Sequence, residues 1–214
     1  MTKKQFLLLL FLSALWGSSF MFMRILAPVF GASGTAGFRL LIGSLTLLAF
    51  FKFQSYRIPW KRQWRLLLLI GLINSALPFF LYAFAALHIP SSVSVMVNAT
   101  SPIFGAIFAA LLLKEPIDRS TLLGLILGVL GVAIMSGSKA LPKDTLGVLS
   151  LAACVVAAAC YGLSGAIVRR WGKVLDAKDL AGGSQLFAAA GLLPFFFYSG
   201  PSLVVETWHI GLLL

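Results

Sequence analysis

Seven stretches of mostly apolar residues, each about the length of a bilayer crossing, constrain this chain more than any other feature. They run over 5–26, 33–51, 66–87, 92–113, 120–137, 146–168 and 179–199. A helix rises 1.5 Å per residue, so ~20 residues cross the ~30 Å hydrocarbon layer. Inside that layer every backbone amide must find its partner within the protein, and a continuous apolar run does so as a helix. An eighth run starts near Trp208 and reaches Leu214, a rise of only ~10 Å, too short to cross. The expectation is an all-α, polytopic integral membrane protein, with its final stretch inside an unfinished helix.

Composition agrees with this. Hydrophobic residues make up 60% of the 214 and charged ones only 11%, against ~45–50% and ~25% in soluble domains. A water-soluble enzyme, a nucleic-acid module and a disordered tail are excluded. The formal net charge of +11 would suggest nucleic acid on a soluble protein. Here the basic residues cluster between the apolar runs, as orientation signals do. Thirteen Lys and Arg, among them Lys3, Lys4, Lys61, Arg62, Arg169 and Arg170, fall on the side holding the N-terminus. Lys139 and Lys143 fall on the other, four even with Arg24 and Arg39. That bias predicts a cytoplasmic N-terminus in a plasma or inner membrane. The first run continues to Met23, past any signal-peptide core of ~7–15 residues, and reads as an uncleaved span. Cys154 and Cys160, six positions apart on one helix, suit small buried hydrophobes better than a disulfide.

The chain also repeats itself. Ala14, Trp16, Gly17, Ser19 and Arg24 match Ala159, Tyr161, Gly162, Ser164 and Arg169 at a constant offset of 145, and Ala36-Gly37 meets Ala181-Gly182 there. Five spans separate the copies, so the second threads the bilayer in the opposite sense, the inverted-repeat signature of secondary transporters.

Several of these residues resemble a known family. Trp16-Gly17-Ser18-Ser19-Phe20, Arg39, Lys114-Glu115-Pro116 and the Gly124/Gly128/Gly131 run, in that order, are similar to the EamA domain of the drug/metabolite transporter superfamily. The resemblance covers 5–137 as one five-helix unit and 146–214 as the start of an inverted second. It implies ten helices in two units and movement of small metabolites such as amino acids, mostly outward. The chain departs by stopping near the start of an eighth helix, which makes a non-transporting fragment or helical scaffold the alternative. Small four-helix drug antiporters of the superfamily rely on a carboxylate in their first helix; residues 5–23 hold none.

Two prolines mark where polar chemistry could sit. A proline inside a helix leaves the carbonyl four residues earlier without a donor; for Pro78 that is Asn74, and for Pro102 it is Asn98. Both helices thus pair a side-chain amide with a freed carbonyl in mid-membrane, which reads as cavity lining or as groups satisfied by neighbouring helices. Arg39, about six residues inside the second span, either faces the cavity and attracts a carboxylate or snorkels to the headgroups. Trp16, Phe20, Tyr82 and Tyr161 offer aromatic faces, for a ligand or for packing. Ser18, Ser19, Ser101, Ser164 and Gln185 are weaker hydrogen-bonding candidates. The predicted substrate site is Trp16, Arg39, Asn74, Tyr82, Asn98 and Tyr161.

Gly124 and Gly128 form one smooth face for close approach to another helix of this chain, with a homodimer seam as the alternative. Glu115 and Asp118 are expected to pair locally with Lys114 and Arg119, in contacts worth little. No nucleophile–base pair and no metal-ligand spacing occurs, so neither enzyme chemistry nor a cofactor is expected. The partners implied are membrane lipid and a small-molecule substrate.

Overall fold

The computed structural model describes residues 2–56, 58, 60–136, 142 and 144–198, and among them the chain is helical with no strand. Trp208, Glu206, His209, Lys139 and Lys143 lie outside the described residues, and with them the eighth run expected from the sequence.

Helix α1 (Lys3–Phe53) holds the first two spans. Straight, its 51 residues would make a rod ~75 Å long. Instead Gly31 takes φ 70°, ψ 172°, a conformation open essentially to glycine alone, and the chain folds back on itself. Arg39 Nη1 donates to Ser19 Oγ at 2.6 Å, although one straight helix would hold them ~30 Å apart. Phe30 meets Phe38 edge-on across the fold, ring centroids 5.3 Å apart.

The third span joins α2 (Trp60–Gly71) to α3 (Leu77–His88) through a widened turn, Leu72–Ala76, in which the Leu77 N–H reaches back to Leu72 O. The extra residue puts Pro78 in the first turn of α3, where its missing N–H costs no intrahelical bond. The fourth span likewise divides into α4 (Ser91–Asn98) and α5 (Ser101–Leu113), with Pro102 in the first turn of α5. Both proline-associated irregularities therefore restart a helix rather than merely bend one.

Helix α6 (Arg119–Ser136) follows, started by Asp118. Its carboxylate accepts from Thr121 N at 2.8 Å and from Ser120 Oγ at 3.0 Å, and the bonds to Thr121 and then Ser120 hold it below the usual carboxylate range. The expected close approach of Gly124 and Gly128 to another helix is not found among the described residues: a Cβ on either would meet nothing there within 4 Å. Glu115 also departs from expectation. It pairs with Arg169, at 2.5 Å, rather than with its sequence neighbours, because the end of α5 lies beside the end of α7.

Helix α7 (Thr145–Trp171) is the hub, burying Ser150, Ala153, Cys154, Ala157, Ala158 and Gly162. These small side chains let α3 and α5 come close. A Cβ on Gly162 would stand 2.5 Å from Gly105 N, whereas one on Gly17, its counterpart at offset 145, would meet nothing within 4 Å among the described residues. A second widened turn, Asp179–Gly183, leads into α8 (Ser184–Tyr198). There α8 crosses α2 so closely that a Cβ on Gly71 would overlap the Ser184 carbonyl.

Four helices among the described residues are long and apolar enough to cross a membrane: Lys3–Phe53, Gln63–His88, Ser91–Leu113 and Thr145–Trp171. The first supplies two crossings once divided at Gly31. The predicted fifth and seventh spans are present as helices of 18 and 15 described residues.

Candidate functional site

The doubled-back α1, both irregular spans, α7 and α8 surround one cavity of about 610 Å³. That volume suits a small organic ligand. All six residues of the predicted site line it, together with Ser19, Phe20, Met23, Ser75, Phe79, Ala99, Ser101, Pro102 and Gln185.

Aromatic rings form one side. Tyr82 and Tyr161 stack at 6.2 Å with 19° between their planes, and Phe20 meets Tyr82 edge-on at 5.0 Å. Trp16 stands at the rim, 78% exposed. The buried Tyr82 hydroxyl donates to Asn98 Oδ1 at 2.9 Å, which fixes the amide's orientation. The Asn98 carbonyl is not left open as the proline spacing implied. Ser101 Oγ donates to it at 2.6 Å, taking the place of the N–H that Pro102 lacks. Asn74, on the widened turn, faces the cavity without a hydrogen-bond partner among the described residues.

Among the described residues Arg39 is the one charged side chain on the cavity wall. Its guanidinium lies 4.8 Å above the Phe79 ring, with the Ser19 bond holding one nitrogen. Of the two readings open for Arg39, this geometry is the inward one. Among the described residues no carboxylate pairs with it, so its remaining donors are free for an anionic group.

A model of the EamA-like transporter family matches residues 4–137, the stretch that supplies α1 through α6 and most of this lining. The chain belongs to the EamA-like transporter family. It is a multi-pass membrane protein, and its named relatives include transporters. The uncharacterized transporter YdfC of Bacillus subtilis is 30% identical over 122 residues, which are 57% of this chain and 40% of YdfC. The threonine/homoserine exporter RhtA of Salmonella typhimurium is 31% identical over 110 residues, 51% of this chain and 34% of RhtA. Protein PecM of Dickeya dadantii is 26% identical over 110 residues, 36% of its own length. The chain thus matches less than half the length of these relatives. No solved structure matches it.

This EamA-like chain also holds a second chamber of about 490 Å³, reaching toward the start of α8. Asn74, Ser75, Tyr161 and Gln185 belong to the walls of both spaces. Ser75 and Phe79 carried no signal in the sequence, since a serine and a phenylalanine in an apolar helix are unremarkable there. Gln185 did carry one, as an amide in a bilayer-depth run. Ser18 turns away, its hydroxyl spent on Leu15 O at 2.9 Å. Among the described residues no group of His, Cys, Asp or Glu could hold a metal ion.

Proposed function

We propose that the protein is a secondary transporter that exports or exchanges a small, amino-acid-like metabolite by alternating access, binding it in the 610 Å³ cavity. The observation that supports this reading is the convergence of one guanidinium with no carboxylate partner among the described residues, three amides and a stacked tyrosine pair on one space of ligand size. In it Arg39 takes the substrate carboxylate. Asn74 and Asn98 meet its polar groups, and the tyrosines and Trp16 its apolar body. The relative named as a threonine/homoserine exporter supports the substrate class. Residues 146 onward act as the opening of an inverted second unit that rocks against the first. The basic bias of alternate loops supports a cytoplasmic N-terminus in the plasma or inner membrane.

The test is release of labelled amino acids, threonine and homoserine first, from vesicles containing the protein. Wild type should release at least one faster than protein-free vesicles do. Arg39→Gln should abolish that release, and Asn74→Leu and Asn98→Leu should impair it. Unchanged release in all three variants would remove the site assignment. Release at the protein-free rate for every amino acid would leave the helical-scaffold alternative standing.

A further inference from the structure

We infer that the central cavity selects its solute by carboxylate and hydrogen-bond acceptors and gives an ammonium no partner, so that an α-oxo or α-hydroxy acid is a better ligand than the amino acid of the same carbon skeleton. This rests on the transporter reading above and narrows its substrate class.

The wall carries a positive charge with no negative one to match it. Arg39 lines the cavity and, among the described residues, no Asp or Glu does. Two acids near the start of α8 face another group: Tyr56 Oη donates to Asp179 Oδ1 at 2.9 Å and approaches Asp176 Oδ2 at 3.3 Å. A guanidinium has five N–H groups, and the bond from Arg39 to Ser19 Oγ at 2.6 Å uses one of them. Phe79 covers one face of the group, 4.8 Å away. The remaining donors lie around its edge, where a carboxylate can take two parallel bonds.

The neutral groups are turned the same way. Asn98 Oδ1 accepts from Tyr82 Oη at 2.9 Å, and the Asn98 main-chain carbonyl accepts from Ser101 Oγ at 2.6 Å. Both acceptors of Asn98 are thereby occupied, and its amide nitrogen, with two N–H groups, is its free end on the wall. The Tyr161 hydroxyl lines the same space and adds a donor. Gln185 Oε1 is an acceptor, but it is buried, out of reach of a solute in the cavity. Asn74 is the amide that can turn either way. An α-ammonium beside a carboxylate on Arg39 therefore stands close to a like charge, with one amide oxygen and ring faces in place of the water it gives up. The rings offset part of that loss. An oxo or hydroxyl oxygen on the same carbon accepts from Asn98 or Tyr161 instead.

The experiment measures binding to the whole protein in mixed micelles by isothermal titration calorimetry at neutral pH. Four solutes share one carbon skeleton: L-leucine, its α-hydroxy acid, its α-oxo acid and the amino alcohol L-leucinol. The two amine-free acids should bind about tenfold more tightly than leucine, or better, and leucinol, a cation with no carboxylate, should not bind. Arg39→Gln should remove binding of both acids, and Arg39→Lys should retain part of it. The ranking of the four is read on the unaltered protein, so it decides the matter even where a variant fails to fold. Leucine binding as tightly as either acid, or leucinol displacing them, would overturn the inference and leave the transporter reading in place. Acids that bind in the expected order but are not released from vesicles refute the transporter reading and leave the selectivity standing. Binding by none of the four overturns both.

Discussion

The crossing of α5 over α7 allows a stability effect to be worked out from geometry. At Gly162 a methyl group would stand 2.5 Å from Gly105 N, 2.6 Å from the Phe104 carbonyl carbon and 2.7 Å from Phe104 Cβ. Two of those three atoms are backbone, so no rotamer change relieves the overlap, and the helices must part by most of an ångström. Overpacking of this kind costs roughly 1–3 kcal/mol, or about 5- to 150-fold in the folded population. Gly105→Ala probes the same crossing from the other side, where the nearest atom would be at 3.9 Å, an ordinary contact. It should be close to neutral. Gly17→Ala, with nothing within 4 Å, should be neutral or gain up to ~1 kcal/mol from better helix propensity. The three variants should be compared by reversible unfolding in mixed micelles, followed by far-ultraviolet circular dichroism. Because Tyr161 precedes Gly162, the Gly162→Ala protein should also lose solute binding beyond its loss of stability. If Gly162→Ala unfolds with the same midpoint as Gly105→Ala, the close approach described here is wrong.

Three further outcomes are expected. Asn98→Leu strands the hydroxyl of Tyr82, a residue only 1% exposed, and should cost ~1–3 kcal/mol; Tyr82→Phe should cost less, since the Asn98 amide it leaves is only half-buried and faces the cavity. The same unfolding measurement reads both. Gly31→Ala should cost ~1–3 kcal/mol, because alanine resists φ 70°, ψ 172°, and a Cys pair across the fold near Ser19 and Arg39 should then cross-link more slowly. Glu115→Gln should change the unfolding midpoint little, by at most ~1 kcal/mol, since both partners of its ion pair are about half exposed.

How far such features could be read beforehand differs from residue to residue. The spans were legible because nothing but lipid accommodates so many uninterrupted apolar residues, and the reversal at Gly31 falls in the gap between the first two. The irregular spans were legible in position but not in form. Proline guarantees a missing donor at a known carbonyl. Whether the backbone answers with a widened turn, as before Pro78, or with a serine hydroxyl, as at Asn98, depends on local packing that spacing does not encode. The six site residues converge because polar and amphipathic groups at membrane depth turn inward, a rule that needs no coordinates. Phe79 obeys no such rule; it faces Arg39 because of how α1 folds back. Glycine spacing at Gly124 and Gly128 shows that a neighbour could come close, not that one does. Glu115 bypassed its sequence neighbours for a residue 54 positions away, which only the side-by-side ends of α5 and α7 make near.

Where α8 begins, the Ser184 carbonyl occupies the volume a Gly71 side chain would fill. Gly71 is the last residue of α2 before the widened turn that carries Asn74 and Ser75. With no side chain between them, the two main chains lie in direct contact. A shift of α8 at this crossing would therefore press on the backbone that leads into Asn74 and Ser75, with nothing soft between to absorb it. The wall of the central cavity is thus set partly by residues beyond 137, outside the stretch that the family model matches.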